Sequence, residues 1–367
     1  MATVGNIFDY LNRIAPVRMM EEYDNVGLLV GDRNQLVTKV LIALDITGKV
    51  VDKAAAAGAQ LIVSHHPVIF RPIRDVRLDG KTGIVYKLAN HSLSAVCMHT
   101  NLDLANGGVN DCLAQTLELA DVEILSVTGK KPMKKITVFV PVDYAAAVRQ
   151  AMTDAGAGSI QNYRGCAFET QGMSYFRPVE GSNPFIGEVG KVQRVYEMRI
   201  EALCPGDRVE EVVRKVISVH PYEVPVYHVT DDEAMTEPYG IGRVGNLAQP
   251  KSLEDFAGFV KQKLFCSAVG VCRSRDDAVR RISVCGGADD GTLVEFSLKA
   301  GADTLVIGEM KHSSKIEAKE AGVNIIEAGH FQTENVICPH LFHILSSQFR
   351  DTVFSVANHN CAPDYFI

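Results

Sequence analysis

The sequence lacks any run of about 18 or more apolar residues, so we expect no membrane-spanning helix and no membrane partner. Its first residues, Met1 to Asp9, lack the charged-then-apolar order of a signal peptide, and we therefore expect a cytoplasmic protein. The nine cysteines are scattered without a Cys-x-x-Cys pair. This pattern predicts reduced thiols that fill the core, and neither disulfides nor a structural zinc site.

An excess of basic residues is also missing, because the formal net charge is -7. This net charge argues against a protein whose main function is to bind nucleic acid. The composition is otherwise that of a globular protein, with 47% hydrophobic and 22% charged residues. A chain of 367 residues is longer than a typical single domain, which indicates two or three domains.

The most informative stretch is Leu61 to Pro67, an apolar run that ends in two adjacent histidines. The run predicts a buried parallel strand, and ligand-binding residues of open α/β sheets gather at the carboxyl ends of such strands. Neighbouring residues on an extended segment point to opposite sides, so His65 and His66 could serve two different metal ions. The alternative is a hydrogen-bonded pair of loop histidines.

The surrounding residues predict a crossover unit of parallel strands. Residues 40–45 form an expected strand, Thr47 can cap a helix that ends near Gly58, and 61–63 form the next strand. A further strand at 94–98 runs directly into His-Thr-Asn-Leu-Asp at 99–103. A second histidine and a carboxylate are therefore expected at the same edge of the sheet.

The C-terminal part of the chain repeats this order of elements. Expected strands at 282–287 and 304–307 correspond to those at 40–45 and 61–63, and 323–327 runs into Gly-His-Phe-Gln-Thr-Glu at 329–334. His330 and Glu334 are four residues apart, as are His99 and Asp103, and in a helical turn each pair lies on one face. Two similar half-domains would bring both pairs toward one shared cleft.

The segment between the halves has a different character. Its predicted order, β-α-β-β-α-β, is that of ferredoxin-like domains. Two strands are expected near 165–169 and 172–176, and linkers at 129–132 and 236–240. The expected fold is therefore α/β, with two similar half-domains around a shared metal site, interrupted by a ferredoxin-like α+β insert. The domain bounds are 1–127, 128–239 and 240–367.

The candidate metal ligands combine imidazoles and carboxylates from both halves, and they are His65, His66, Asp103, His330 and Glu334. Mixed nitrogen and oxygen ligands suit zinc, iron, manganese or nickel, and the absence of thiolates disfavours a purely structural zinc site. A glutamate can bridge two ions, and two ions about 3.5 to 4 Å apart can activate a water for hydrolysis. His99 is either a ligand or an outer donor that orients one.

Other candidates are weaker. His340 and His343 lie three apart on an expected helix, where a packing face is more common than a ligand pair. Glu309 and His312 follow the strand that corresponds to 61–63 and could contact substrate. The glycine-rich loop 286–291 could hold a phosphate, but it lacks the Walker and dinucleotide spacings and fits a tight turn equally well.

These motifs together resemble the NIF-three-like family, also called domain of unknown function 34. The resemblance rests on Ser64–Pro67, His99–Asp103 and Gly329–Glu334, together with Glu22–Leu28, and covers about 1–127 and 240–367. It implies a dinuclear metal site between two α/β halves, with the same five ligands and two divalent ions per chain. It also implies a homohexameric toroid with the sites facing its cavity.

The insert, with His-Pro-Tyr-Glu-Val-Pro at 220–225, resembles trimeric CutA-like and PII-like domains. Such an insert on a hexameric ring would cap its openings and filter what enters.

Two functions remain open at this point. The first is a metal-dependent hydrolase of a nucleotide or phosphorylated small molecule, since family members are often described as homologues of type 2 GTP cyclohydrolase I. The second is a non-catalytic metal-binding assembly that acts as a metal chaperone, sensor or regulatory partner. Both functions would use the same metal ligands. A hydrolase would also need contacts to its substrate, and the only candidates for these are His99, Glu309 and His312.

Overall fold

The computed structural model describes residues 1–160, 163–276, 278–289 and 291–357. The chain divides into two compact units: unit 1 contains Met1–Gly129 and Tyr239–Ile367, and unit 2 contains Lys130–Pro238. Across the described ranges, every helix is too short or too polar to cross a membrane.

The first part of unit 1 alternates short strands and helices. In chain order they are β1 (Ala2–Thr3), α1 (Val4–Ile14), β2 (Gly27–Val30), β3 (Leu36–Val37), β4 (Lys39–Ala43), α2 (Gly48–Ala56), β5 (Leu61–Ser64), α3 (Gly83–Asn90), β6 (Ser94–Cys97), α4 (Thr100–Leu104) and α5 (Val109–Thr116). Thr47 caps α2, because its side chain accepts a hydrogen bond from the amide of Val50.

Unit 2 follows the order predicted for a ferredoxin-like insert. Its elements are β7 (Ala120–Pro141), α6 (Ala145–Asp154), β8 (Phe168–Phe176), β9 (Gln193–Pro205), α7 (Val209–Val219) and β10 (Tyr227–Lys251). Strand β9 pairs antiparallel with β7 and with β8. Helices α6 and α7 pack on one face of these strands around Val138, Ile200 and Val216. The bounds of β7 and β10 extend beyond unit 2 into unit 1.

The remaining elements return to unit 1. They are α8 (Leu253–Lys263), β11 (Gly270–Cys272), β12 (Val279–Ala288), α9 (Leu293–Lys299), β13 (Thr304–Glu309), α10 (His312–Ala321), β14 (Asn324–Glu327), α11 (His330–Glu334), α12 (Ile337–Gln348) and β15 (Val353–Val356). The α/β class predicted from the sequence is therefore confirmed.

Two sheets of unit 1 carry the strands whose ends were predicted to meet. One sheet has the order β15-β4-β5-β6-β2, in which β15, β4, β5 and β6 run parallel. In the other, the order β11-β14-β13-β12-β10 contains the parallel set β14, β13 and β12. The parallel strands of each sheet therefore end at one edge, which is where the polar motifs follow.

One sequence prediction differs from the observed elements. The two strands expected near 165–169 and 172–176 form one strand, β8, because Gly172 continues the pairing opposite Glu197. The expected linkers at 129–132 and 236–240 lie at the borders between the two units, and their residues belong to β7 and β10. The last strand, β15, pairs with β4 in the sheet of the N-terminal half.

Candidate metal centre

The two adjacent histidines stand where β5 ends. Strand β5 lies between β4 and β6, and its four residues are buried. His65 is fully buried and His66 is partly exposed, and their ring centroids are 5.0 Å apart. Both histidines contribute to one group of possible metal donors, together with His99.

Asp103 and His99 come from the neighbouring strand end. His99 is the residue before α4, and Asp103 lies in that short helix. Asp103 Oδ1 lies 3.6 Å from His65 Nε2, and the rings of His65 and His99 are 5.2 Å apart.

His330 and Glu334 are contributed by α11, directly after β14. They lie one helical turn apart on the same face, with His330 Nε2 3.2 Å from Glu334 Oε2. Glu334 is only 4% exposed although it is ionisable. The doubled four-residue spacing therefore places two short helices at one site.

Glu334 lies between two sets of histidine nitrogens. Its Oε1 is 3.8 Å from Nε2 of His65, while its Oε2 is 3.0 Å from Nε2 of His66. Three groups of possible metal donors overlap here, each with its ligand atoms within 4.8 Å of one another, and they are His65/Asp103/Glu334, His66/His330/Glu334 and His65/His66/His99. Glu334 thus belongs to two of the three groups, with Oε1 toward His65 and Oε2 toward His66.

Each imidazole of the centre is held through Nδ1 by an acceptor outside the centre. His65 Nδ1 lies 2.9 Å from the carbonyl of Met98, and His66 Nδ1 donates to Asp45 at 2.8 Å. Likewise, His99 Nδ1 donates to Asp24 at 2.8 Å and His330 Nδ1 to Glu309 at 2.9 Å. When Nδ1 is the donor, the neutral ring has its lone pair on Nε2, which is the form that a metal requires.

The carboxylates determine how these histidines titrate. Burial alone would lower the pKa of His66, but Asp45 and Glu334 outweigh it and raise the pKa to about 10. Glu334 and Glu309 likewise raise the pKa of His330 to about 9. Burial would raise the pKa of Glu334, yet the three surrounding imidazoles, those of His330, His65 and His66, hold it well below its usual range.

Several buried polar atoms of the centre have no hydrogen-bond partner, namely His65 Nε2, Asp103 Oδ1 and Glu334 Oε2. Buried polar atoms are normally paired, and unpaired ones clustered around one point are a feature of sites that could hold a cation. Nitrogen and oxygen donors without thiolates suit zinc, iron, manganese or nickel. The residues present therefore fit a divalent metal centre.

The glycine pair of the 286–291 loop has a steric role beside Glu334. Gly287 has a φ of +71°, and a Cβ there would lie 2.3 Å from Glu334 Oε1. The amides of Gly286 and Gly287 donate to Asn110 and Thr333 respectively, so they are not free to hold a phosphate. Residues 286–288 end strand β12, and Gly286 and Gly287 pack closely against Glu334. Asp290 lies outside the described residues.

Of the weaker histidine and glutamate candidates from the sequence, one lies beside the centre. Glu309 orients His330, whereas His312 begins α10 and is exposed. His340 and His343 on α12 are in none of the donor groups found among the described residues. Sequence reasoning missed the orienting role of Asp45 and Asp24, although Asp45 stands at the end of β4, where a strand-end search would find it.

The chain matches the model of the family Duf34/NIF3 (NGG1p interacting factor 3) over residues 2–363, and it belongs to that family. It is 36% identical over 351 residues to the GTP cyclohydrolase 1 type 2 homolog of Bacillus subtilis (strain 168), covering 95% of this chain and 94% of that protein. It is 38% identical over 331 residues to the protein of the same description from Halalkalibacterium halodurans, covering 90% and 89%.

Solved structures give the same relationship. A Bacillus cereus protein related to NIF3 superposes with a TM-score of 0.89 at 35% sequence identity, covering 100% of this chain and 99% of that chain. Staphylococcus aureus protein SA1388 follows with a TM-score of 0.70 at 29% identity and the same coverage. Reduced HcgD from Methanocaldococcus jannaschii, at 20% identity and a TM-score of 0.59, shares the fold, covering 97% and 98%.

Proposed function

We propose that this chain binds two divalent metal ions and hydrolyses a nucleotide-like substrate. The observation that carries the proposal is the set of overlapping donor groups around Glu334, which offers two separate groups of three ligands joined by one carboxylate. His65, Asp103 and Glu334 would hold one ion, and His66, His330 and Glu334 the other. The name GTP cyclohydrolase 1 type 2 homolog, carried by the relatives, supports the substrate class.

Bound ions would supply Lewis acidity toward a water and a substrate oxygen. The residues of the chain provide the frame for that chemistry. Asp45 and Glu309 fix the rings of His66 and His330, so the two Nε2 atoms keep their separation without side-chain rearrangement. Gly287 leaves Glu334 room beside the loop, and partial exposure of His66 and His330 opens the centre to a ligand.

His99 is the group of the centre placed to contact a substrate or a water. Its ring is fixed by Asp24, which also accepts hydrogen bonds from the amide and hydroxyl of Thr100. Burial would raise the pKa of Asp24, but His99 and Thr100 hold it far below its ordinary value, so it stays a carboxylate. His99 is thereby kept in one orientation facing His65 and His66.

Metal content tests the first half of the proposal. Purified wild-type protein should contain two ions per chain by mass spectrometry, and Glu334→Gln should lose both, because the bridging charge is removed. Glu317→Gln is the matched control, since Glu317 is an exposed residue of the nearby helix α10. Full metal content in Glu334→Gln would overturn the bridging assignment.

Turnover tests the second half. The metal-loaded protein is incubated with a panel of nucleotides including GTP, and products are separated by chromatography. We expect a hydrolysis product that Glu334→Gln does not form and that Glu317→Gln, altered at an exposed position, still forms. A folded, metal-loaded protein without any product would favour the metal chaperone or sensor instead.

We also propose a homohexamer, supported by membership of the family. Light scattering of the purified protein should give a mass six times that of the 40.0 kDa chain.

A further inference from the structure

Unit 2 contains a cavity of about 670 Å³ that the metal chemistry does not use. It lies on the face of the β7-β9-β8 sheet opposite α6 and α7, because Phe139, Arg199 and Glu197 alternate with the core residues that face those helices. The segments around Pro184 and Val224 contribute its other walls. A volume of this size accommodates a small organic molecule.

Aromatic side chains form part of the cavity walls. Phe176 and Phe185 lie 5.9 Å and 6.5 Å from the ring of Tyr222, between centroids, and Phe139 lines the same space. Aromatic rings at these separations present flat apolar surfaces on which a planar ring can stack. The shape and lining therefore favour a flat ligand.

A buried acid is among the polar residues that line the cavity. Glu197 is only 5% exposed, and the Tyr222 hydroxyl donates to its Oε1 at 2.7 Å. Arg199, two residues further along β9, is paired with Glu201 instead. A carboxylate can accept about four hydrogen bonds, so one neutral hydroxyl leaves most of its capacity for further donors.

The partner of Glu197 is itself fixed. His220 donates from Nε2 to the carbonyl of Phe139 at 2.9 Å, and its Nδ1 accepts from the amide of Tyr222 at 3.1 Å. Burial and the neighbouring Glu197 raise the pKa of Tyr222, so its hydroxyl keeps the proton it donates. The His-Pro-Tyr motif at 220–222 thus orients the carboxylate toward the cavity.

The strand opposite leaves space beside this carboxylate. Gly172 of β8 pairs directly with Glu197, and a Cβ built at Gly172 meets nothing within 4 Å. Directly opposed residues of antiparallel strands project to the same face. The missing side chain therefore leaves the approach to Glu197 open.

We propose that this cavity binds a planar ring that carries paired N–H donors. The ring would stack against the aromatic walls, and its N–H groups would donate to Glu197. Two kinds of molecule share this chemistry, the charged aryl amidine and the neutral amino-heterocycle of a guanine-type base. Both present two adjacent N–H groups in the geometry that suits a carboxylate.

The test uses the full-length, metal-loaded protein and titration calorimetry with benzamidine and with guanosine. Binding of benzamidine alone assigns a cationic ligand, whereas binding of guanosine assigns a nucleobase edge. Glu197→Gln should weaken the binding at least about tenfold, because it removes the charged acceptor. Gly172→Phe should abolish it by filling the space beside Glu197.

The control is Glu188→Gln, which alters an exposed acid of the same unit that is paired with Lys191 and does not line the cavity. It should bind as wild type does, and all variants should retain their metal and their thermal transition. Absence of binding by both probes, or equal binding by Gly172→Phe, would overturn the proposal. The proposal would also be overturned if the wild type bound neither probe and Gly172→Phe changed the oligomeric state of the protein. That result would favour a contact between copies of the chain at this face.

Discussion

Asp45 and Asp24 illustrate how residues that hold no metal define the candidate metal centre. Each accepts the Nδ1 proton of one histidine, and so determines which ring nitrogen faces the other donors. Metal binding requires that Nε2 is deprotonated and that its lone pair points toward the other donors. Removal of such an acceptor should therefore lower the metal affinity although no metal ligand is changed.

Asp45→Asn should weaken metal binding about 10- to 100-fold, because the amide can no longer stabilise the Nδ1 proton of His66. Competition with a chelator of known affinity measures the change. Asp52→Asn is the control, since Asp52 is an exposed acid of α2 paired with Lys87. Equal affinities in the two variants would show that Asp45 does not orient His66.

Metal binding should release protons. The pKa values of His66 and His330, about 10 and about 9, mean that both rings hold an extra proton at neutral pH in the metal-free protein. Binding requires the neutral form, so about two protons per chain should leave at pH ~7.5, and affinity should fall as the pH is lowered. Calorimetry in buffers of different ionisation enthalpy counts them. A buffer-independent heat would contradict this prediction.

At the residue scale, the sequence was informative where chemistry follows local order. Strand ends and a four-residue spacing predict five candidate ligands, and the structure brings them together in overlapping groups of possible donors, namely His65, His66, Asp103, His330 and Glu334. Asp24 could not be paired with His99, because the two are 75 positions apart and nothing local to either residue encodes the contact.

At the scale of elements, the strands and helices that flank the centre follow the sequence closely, because each is delimited by turn or capping residues. The linkers predicted at 129–132 and 236–240 lie at the borders between the two units, but they continue as strand for a physical reason. Glycine and proline typically end strands, yet strand pairing can continue through them where the partner strand allows it. The partner is not visible in local sequence.

Arg243 of β10 fixes the end of α4 to its surroundings. It is 2% exposed, donates to both oxygens of Asp111 on α5, and reaches the carbonyl of Ala105 just after α4. Removal of this buried, hydrogen-bonded charge would leave its partners unpaired. Arg243→Ala should therefore lower the free energy of unfolding by about 3 kcal/mol.

Chemical denaturation followed by circular dichroism measures this change, since the chain has no tryptophan. Arg280→Ala, at an exposed position of β12, should shift the midpoint far less. Comparable shifts in both variants would count against the role assigned to Arg243.

For the whole molecule, all candidate ligands belong to unit 1. Replacing residues 130–238 by a short turn should therefore leave both metal ions bound, because no donor is removed. Mass spectrometry of the purified protein gives the metal content, and the far-ultraviolet spectrum reports whether unit 1 has folded. Loss of metal from a folded variant would indicate that unit 2 is required for the centre.

Strand β15 has a consequence for the order in which the protein is made. It completes the sheet beside β4, and Ser355 Oγ hydrogen-bonds to the carbonyl of Val40, 315 positions earlier. On the ribosome, β4 emerges early and its outer edge stays without this neighbour until almost all of the described chain has been translated. An uncovered strand edge is a point where nascent chains aggregate, so chaperone protection during synthesis should matter more for this sheet than for the one around β13.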